Sequence, residues 1–183
     1  MDHIGIERAH LHGYSMGGSI TARILASHPH RLITASFGGS GIRETEEKWS
    51  RLIPPEPVGV DPQEAEASRS LRIRSLMDNG YTREAAIAEL PELARQRELR
   101  RATAPTARRR SALEIDIPAL DVPLLAINGE FDNPYSRTFR LWREAKQFTN
   151  VILPGKSHLT AIAAPYMPKE YTQSLVRFIN AND

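Results

Sequence analysis

Leu11-His12-Gly13-Tyr14-Ser15-Met16-Gly17-Gly18 is the stretch on which the reading of this 183-residue chain turns. It fits the pattern Gly-x-Ser-x-Gly. A short strand-like run, Arg8-Ala9-His10-Leu11-His12, precedes it, and a helix-like run from Ser19 to Ser27 follows. A serine on a sharp strand-to-helix turn is held in a strained backbone conformation that lifts its hydroxyl clear of the sheet. Glycines on either side are expected to be required because a side chain there would collide with the turn. The helix that follows aims its first free N–H groups at any negative charge developing on a bound carbonyl oxygen. A phosphate-binding turn or an ordinary loop would fit the five residues alone; the strand-turn-helix setting favours the nucleophile reading.

A serine hydroxyl is a weak nucleophile at neutral pH, so that reading requires a base and an acid to orient the base. The order that accompanies such a turn is serine, then Asp or Glu, then His. Val122 to Asp132 (Val-Pro-Leu-Leu-Ala-Ile-Asn-Gly-Glu-Phe-Asp) reads as a buried apolar strand ending in a turn that carries an acid. Asn150 to His158 (Asn-Val-Ile-Leu-Pro-Gly-Lys-Ser-His) reads as a second short strand and a turn carrying a histidine. Both candidates sit just past the carboxyl end of a strand, the rim where ligands bind in open α/β sheets. Glu130, two residues before Asp132, is the alternative orienting acid.

These segments, with Asp2 to Gly18, resemble the C-terminal two-thirds of an α/β-hydrolase-fold protein of the esterase, lactonase and meta-cleavage-product hydrolase kind. The resemblance covers residues 2–40 and 118–180. It implies an α/β fold: a partial α/β hydrolase with a mostly parallel sheet, core residues 1–41 and 118–183, and a helical cap over 42–117. It places the nucleophile on Ser15, the acid on Asp132 and the general base on His158, with the Met16 backbone N–H as an oxyanion donor. Tyr14, Met16 and Leu159, next to the nucleophile and the base, are candidates to line the substrate pocket. The implied substrate is a small ester, lactone or related acyl compound. No cofactor and no metal are expected, and a serine nucleophile argues against the dehalogenase and epoxide-hydrolase branches.

Only twelve residues precede Gly13, and the family's early strands and His-Gly oxyanion loop have no counterpart among them. The sequence-level expectation is therefore a truncated hydrolase with half an oxyanion hole. Its strand at 8–12 would be left as an exposed edge open to self-association.

Composition is that of an ordinary globular chain, 40% hydrophobic and 25% charged, with net charge +2. No apolar run approaches the roughly 18 residues of a membrane helix, and nothing resembles a signal segment; no membrane partner and a cytoplasmic location are expected. Cysteine is absent, which excludes disulfides and thiolate metal sites. Arg95, Arg97, Arg100, Arg101, Arg108, Arg109 and Arg110 crowd into sixteen positions. With Glu92, Glu98 and Glu114 interleaved and no aromatic residue to stack on bases, they read as a solvated helix face, not a nucleic-acid patch. His10 and His12 alternate on one strand face but lack a third ligand, and His28 is expected to meet helix-end carbonyls.

Further organisation follows from periodicity. Ile20, Ile24 and Leu25 are spaced as a buried face of the helix after the serine, and 31–37 reads as the next strand. Pro54-Pro55-Glu56-Pro57 interrupts regular structure. Asp61-Pro62-Gln63-Glu64 has the form of a helix start, with Asp61 as N-cap. Thr82 and Pro91 mark further helix starts. Residues 137–148 read as an amphipathic helix packing Phe139, Trp142 and Phe148 on the sheet, and 171–180 as the closing helix. Two functions of different class fit: a serine hydrolase, or a non-catalytic remnant or interaction module that keeps the turn without turning over substrate.

Overall fold

The computed structural model describes residues 1–103 and 114–183. The chain divides into two units, Met1–Asp61 with Ala112–Asp183, and Pro62–Ser111.

The first unit is built on four parallel strands, β1 (Ala9–Tyr14), β2 (Leu32–Gly38), β3 (Leu124–Gly129) and β4 (Phe148–Leu153), adjacent in chain order. Parallel neighbours need crossovers that cover the faces. Helix α1 (Met16–Ser27) returns the chain from β1 to β2; after a short α2 (Glu47–Ser50), α5 (Pro134–Glu144) does the same from β3 to β4, and α6 (Lys169–Asn180) closes the unit. Strand alternation splits the core in two. Ala35, Phe37 and Leu124 face Ala22 and Leu25 of α1 and Leu141 of α5. Leu125, Ile127 and Leu153 face Tyr171 and Phe178 of α6. β3, interior to the sheet, is buried along its whole length, which is why Leu-Leu-Ala-Ile reads as a continuous apolar run.

Several local expectations are corrected. Ile20 lies on the exposed side of α1; the buried stripe is Gly18, Thr21, Ala22 and Leu25, one helical face at i, i+3, i+4 and i+7. α5 ends at Glu144 and buries Pro134, Thr138, Arg140 and Leu141, so Trp142 is 72% exposed and Phe148 opens β4. Arg140 is held inside by Glu144 at 3.0 Å and the Ile115 carbonyl at 2.9 Å, polar partners that a hydrophobic count does not register. His10 and His12 do share a face, where Nδ1 of His10 meets Thr34 Oγ1 at 3.0 Å and Nε2 of His12 meets the Tyr171 hydroxyl at 2.7 Å. The exposed His28 ring meets Ser27 Oγ at 2.7 Å, and it is the His28 backbone N–H that bonds the Ile24 carbonyl.

The core unit also runs past Gly41. Ile42 and Ile117 belong to its buried cluster. Arg143 of α5 bonds Glu44 at 2.7 Å and lies 4.4 Å from the Trp49 ring centre, tying residues 42–50 to the sheet unit.

The second unit holds α3 (Glu64–Asp78) and α4 (Arg83–Thr103), which pack on each other; Ala67, Ile73 and Ala86 are buried. Thr82 caps α4 by accepting the Ala85 N–H at 3.2 Å. Pro91, expected at a helix start, lies inside α4, whose cap at Thr82 already sets the first turn. Arg95 pairs with Glu92 at 2.7 Å, and this exposed pair holds the Glu92 carboxyl down at about 2. The Arg108–Arg110 part of the arginine cluster lies outside the described residues. No helix among the described residues is long and apolar enough to cross a membrane.

Candidate active site

β1 runs into α1 through a single residue, Ser15, at φ 54° and ψ −109°. A non-glycine residue at positive φ is uncommon, and it persists only where its surroundings enforce it. Here the Ser15 N–H is held by the Gly38 carbonyl at 2.8 Å, and the Ser15 carbonyl accepts the Ser19 N–H at 3.2 Å. The glycines around it are not equivalent. A Cβ on Gly13 would strike the Gly17 carbonyl and approach Thr21 Oγ1 to 2.6 Å, and one on Gly18 would lie 2.5 Å from Ser40 Cβ. A Cβ on Gly17 meets nothing within 4 Å, so the expectation that both motif glycines are sterically required holds for Gly13 and fails for Gly17. The close approach of α1 to the chain after β2 is made at Gly18 instead.

The other two candidates come from the same rim of the sheet. Asp132 follows β3 in a turn closed by its own N–H to the Gly129 carbonyl at 3.1 Å. His158 follows β4, and the two turns are joined by the Phe131 N–H bonded to the Lys156 carbonyl at 2.9 Å. His158 Nε2 lies 2.9 Å from Ser15 Oγ, and its Nδ1 lies 2.7 Å from Asp132 Oδ2. The three side chains form one continuous hydrogen-bonded relay. A proton leaving the hydroxyl can be taken by Nε2 while the carboxylate fixes the ring and faces the charge it acquires. Glu130 takes no part: its Oε2 accepts the Gly155 N–H at 2.7 Å.

Met16 is exposed, and its N–H, at the first position of α1, has no acceptor within the helix. Tyr14 is turned to His158: its hydroxyl donates to the His158 carbonyl at 2.5 Å, with ring centres 5.4 Å apart. Leu159 is half-buried next to His158.

Three further side chains bond the turns that carry Asp132 and His158. Arg137 on α5 donates through Nη2 to Asp132 Oδ1 at 2.6 Å and through Nη1 to the Gly39 carbonyl, so both oxygens of Asp132 are engaged. Burial draws the Arg137 guanidinium below its ordinary range, against the pull of Asp132 beside it. Asp61, expected to cap a helix, is also buried against the His158 turn, where the Ser157 N–H and hydroxyl bond its Oδ2. Glu56 accepts the Tyr135 and Ser136 N–H groups at 3.1 and 2.6 Å, at the first turn of α5. The signal for Arg137 was its place five residues after the acid, close to one helical turn into α5; Asp61 and Glu56 have partners 79 to 99 residues away and left no local mark.

No family model matches the chain, and no curated protein matches it. Solved structures do. A meta-cleavage product hydrolase from Pseudomonas fluorescens IP01 is 21% identical over 100% of this chain and 68% of its own, with TM-score 0.58. 2-Hydroxy-6-oxo-6-phenylhexa-2,4-dienoate hydrolase from Rhodococcus sp. strain RHA1 is 19% identical over 98% of this chain and 66% of its own, with TM-score 0.56. A thermophilic esterase from Thermogutta terrifontis is 20% identical over 98% and 68%, with TM-score 0.50. The fold is therefore the α/β-hydrolase fold, with four parallel strands among the described residues. The chain spans 66–68% of the length of these three proteins.

Proposed function

We propose that this chain carries the nucleophile, base and acid of a serine hydrolase acting on a small ester, lactone or related acyl substrate. One observation carries the reading: Ser15 Oγ, His158 Nε2, His158 Nδ1 and Asp132 Oδ2 lie in series at 2.9 and 2.7 Å. Ser15 Oγ attacks the carbonyl carbon as its proton passes to His158 Nε2. Asp132 keeps Nδ1–H oriented and stabilises the imidazolium. The oxyanion that forms faces the amino end of α1, where the Met16 N–H is the donor. His158 returns the proton to the leaving alcohol, then draws one from water, which attacks the acyl-serine and frees Ser15. The hydrolases and esterase of the same fold support the reaction class; ester and lactone carbonyls are the substrates a serine nucleophile with this relay is built to attack.

The test is labelling of the purified chain by a fluorophosphonate probe, with the modified residue located by peptide mapping. Label on Ser15 is expected, lost in Ser15→Ala and His158→Ala, slowed by roughly 10⁴-fold in Asp132→Asn, and retained in Glu130→Gln. A folded wild-type chain that takes no label at Ser15 would refute the proposal. It would leave the second reading, a non-catalytic module, for which the edge position of β1 in the four-stranded sheet speaks. That module would pair β1 with another chain, seen as self-association in sizing experiments.

A further inference from the structure

Residues 54–61 form neither helix nor strand, yet their side chains are arranged against the usual rule. Val58 and Val60 point to solvent, fully and 83% exposed, while Asp61 between the sheet turns is 7% exposed. The hydrophobic effect alone would turn such a segment over, placing valines inside and carboxylates in water. A buried carboxylate is kept only where donors replace its hydration. Asp61 Oδ2 has them: the Ser157 N–H at 3.1 Å, the Ser157 hydroxyl at 3.1 Å and the Thr160 hydroxyl, on both sides of His158. Five residues earlier, Glu56 receives the Tyr135 and Ser136 N–H groups at 3.1 and 2.6 Å, in the turn of α5 that directly follows Asp132. Between the two carboxylates Gly59 lies close to Phe131, next to Asp132; an added Cβ would come within 2.6 Å of that ring.

We infer that residues 56–61 are a strap whose carboxylates, Glu56 and Asp61, are positioning residues for the Asp132–His158 pair. The inference rests on the proposed serine-hydrolase reading. One end of the strap grips the turn bearing the acid, the other the turn bearing the base. Five peptide units reach at most about 18 Å even fully extended, which limits how far the two turns can separate while both ends stay bonded. Bonds from N–H and O–H groups to a carboxylate are roughly twice as strong as those between neutral partners, and most of these lie out of water. The 2.7 Å contact between Asp132 and His158 is thereby held from outside, independently of Ser15.

The strap is tested on the full chain with Asp61→Ala, Asp61→Asn and Glu56→Ala, reading three quantities. The first is the fluorophosphonate labelling rate of Ser15, resolved into inactivation rate constant and probe affinity. The second is the low-field NMR signal of the His158 Nδ1–H bonded to Asp132. The third is the unfolding midpoint. Asp61→Ala is expected to slow inactivation by about 10²-fold, the effect of a misplacement near 1 Å. Probe affinity should be unchanged and the low-field signal broadened or lost. Asp61→Asn, whose amide oxygen can still accept from Ser157 and Thr160, is expected to recover most of the rate and signal. Asp61→Ala that folds and keeps the wild-type rate and signal overturns the strap. If that variant does not fold, Glu56→Ala decides by the same readouts. A wild-type chain unlabelled at Ser15 refutes the hydrolase reading alone; the low-field signal, which needs only His158 and Asp132, then judges the strap.

Discussion

Replacing Arg137 by Met separates what holds the acid from what makes it reactive. Arg137 Nη2 and Asp132 Oδ1 are 2.6 Å apart, with side chains 15% and 6% exposed. Exposed pairs contribute about 0–1 kcal/mol, whereas removing one partner of a buried pair costs about 3–5 kcal/mol. This pair lies near the buried end, but Asp132 keeps its bond to His158, so we expect a loss of about 3 kcal/mol. For a domain of this size that lowers the unfolding midpoint by roughly 6–12 °C. Lysine at 137 keeps the charge but cannot reach both the Gly39 carbonyl and Asp132 in the fork geometry of a guanidinium, so Arg137→Lys should fall between. At the site two effects oppose. Without the guanidinium more of the carboxylate's charge is free to stabilise the imidazolium, yet the carboxylate loses the bond that fixes its plane. Orientation is expected to win, slowing Ser15 labelling by about tenfold, near the ~1.5 kcal/mol of one charge-assisted hydrogen bond. Differential scanning calorimetry and labelling kinetics give both numbers. An Arg137→Met midpoint equal to wild type would refute the argument, because it would mean that the ion pair contributes nothing net to the fold.

Two further outcomes test the packing. Burial holds the His12 imidazole below its ordinary 6.5, so the unfolded chain takes up this proton first as pH falls. Stability is therefore expected to be complete above pH 6.5 and to decline below it, and the decline should be shallower in His12→Gln when midpoints are followed by circular dichroism. Leu141→Ala should cost roughly 2–5 kcal/mol in urea unfolding, and Trp142→Ala, one position on, no more than about 0.5 kcal/mol; equal costs would contradict the observed face of α5.

Ser15, Asp132 and His158 were legible because each carries a local signature: a strand-turn-helix glycine motif for the first, and the end of an apolar strand for the other two. The four strands were legible for the same reason, since a run such as Leu124 to Ile127 is apolar at every position. What escaped depends on distant partners. Asp61 precedes Pro62 and Glu64 and has every local feature of a helix cap, and none of those features hints at the three donors around His158 that bond its Oδ2. Along α5 the aromatic residues suggested a buried face through Phe139 and Trp142. The sheet takes Thr138 and Leu141 instead, and it accepts Arg140 because Glu144 and the Ile115 carbonyl satisfy it. Gly17 and Gly18 are indistinguishable as letters; only the position of Ser40 shows which of them the packing requires.

The backbone of Ser15, at φ 54°, stands in a region that side chains avoid at a penalty on the order of 1–3 kcal/mol. Glycine would occupy it with far less strain. Ser15→Gly should therefore melt higher than the parent while losing its hydroxyl, and any screen that rewards only yield or heat tolerance would drift toward discarding the group that bonds His158.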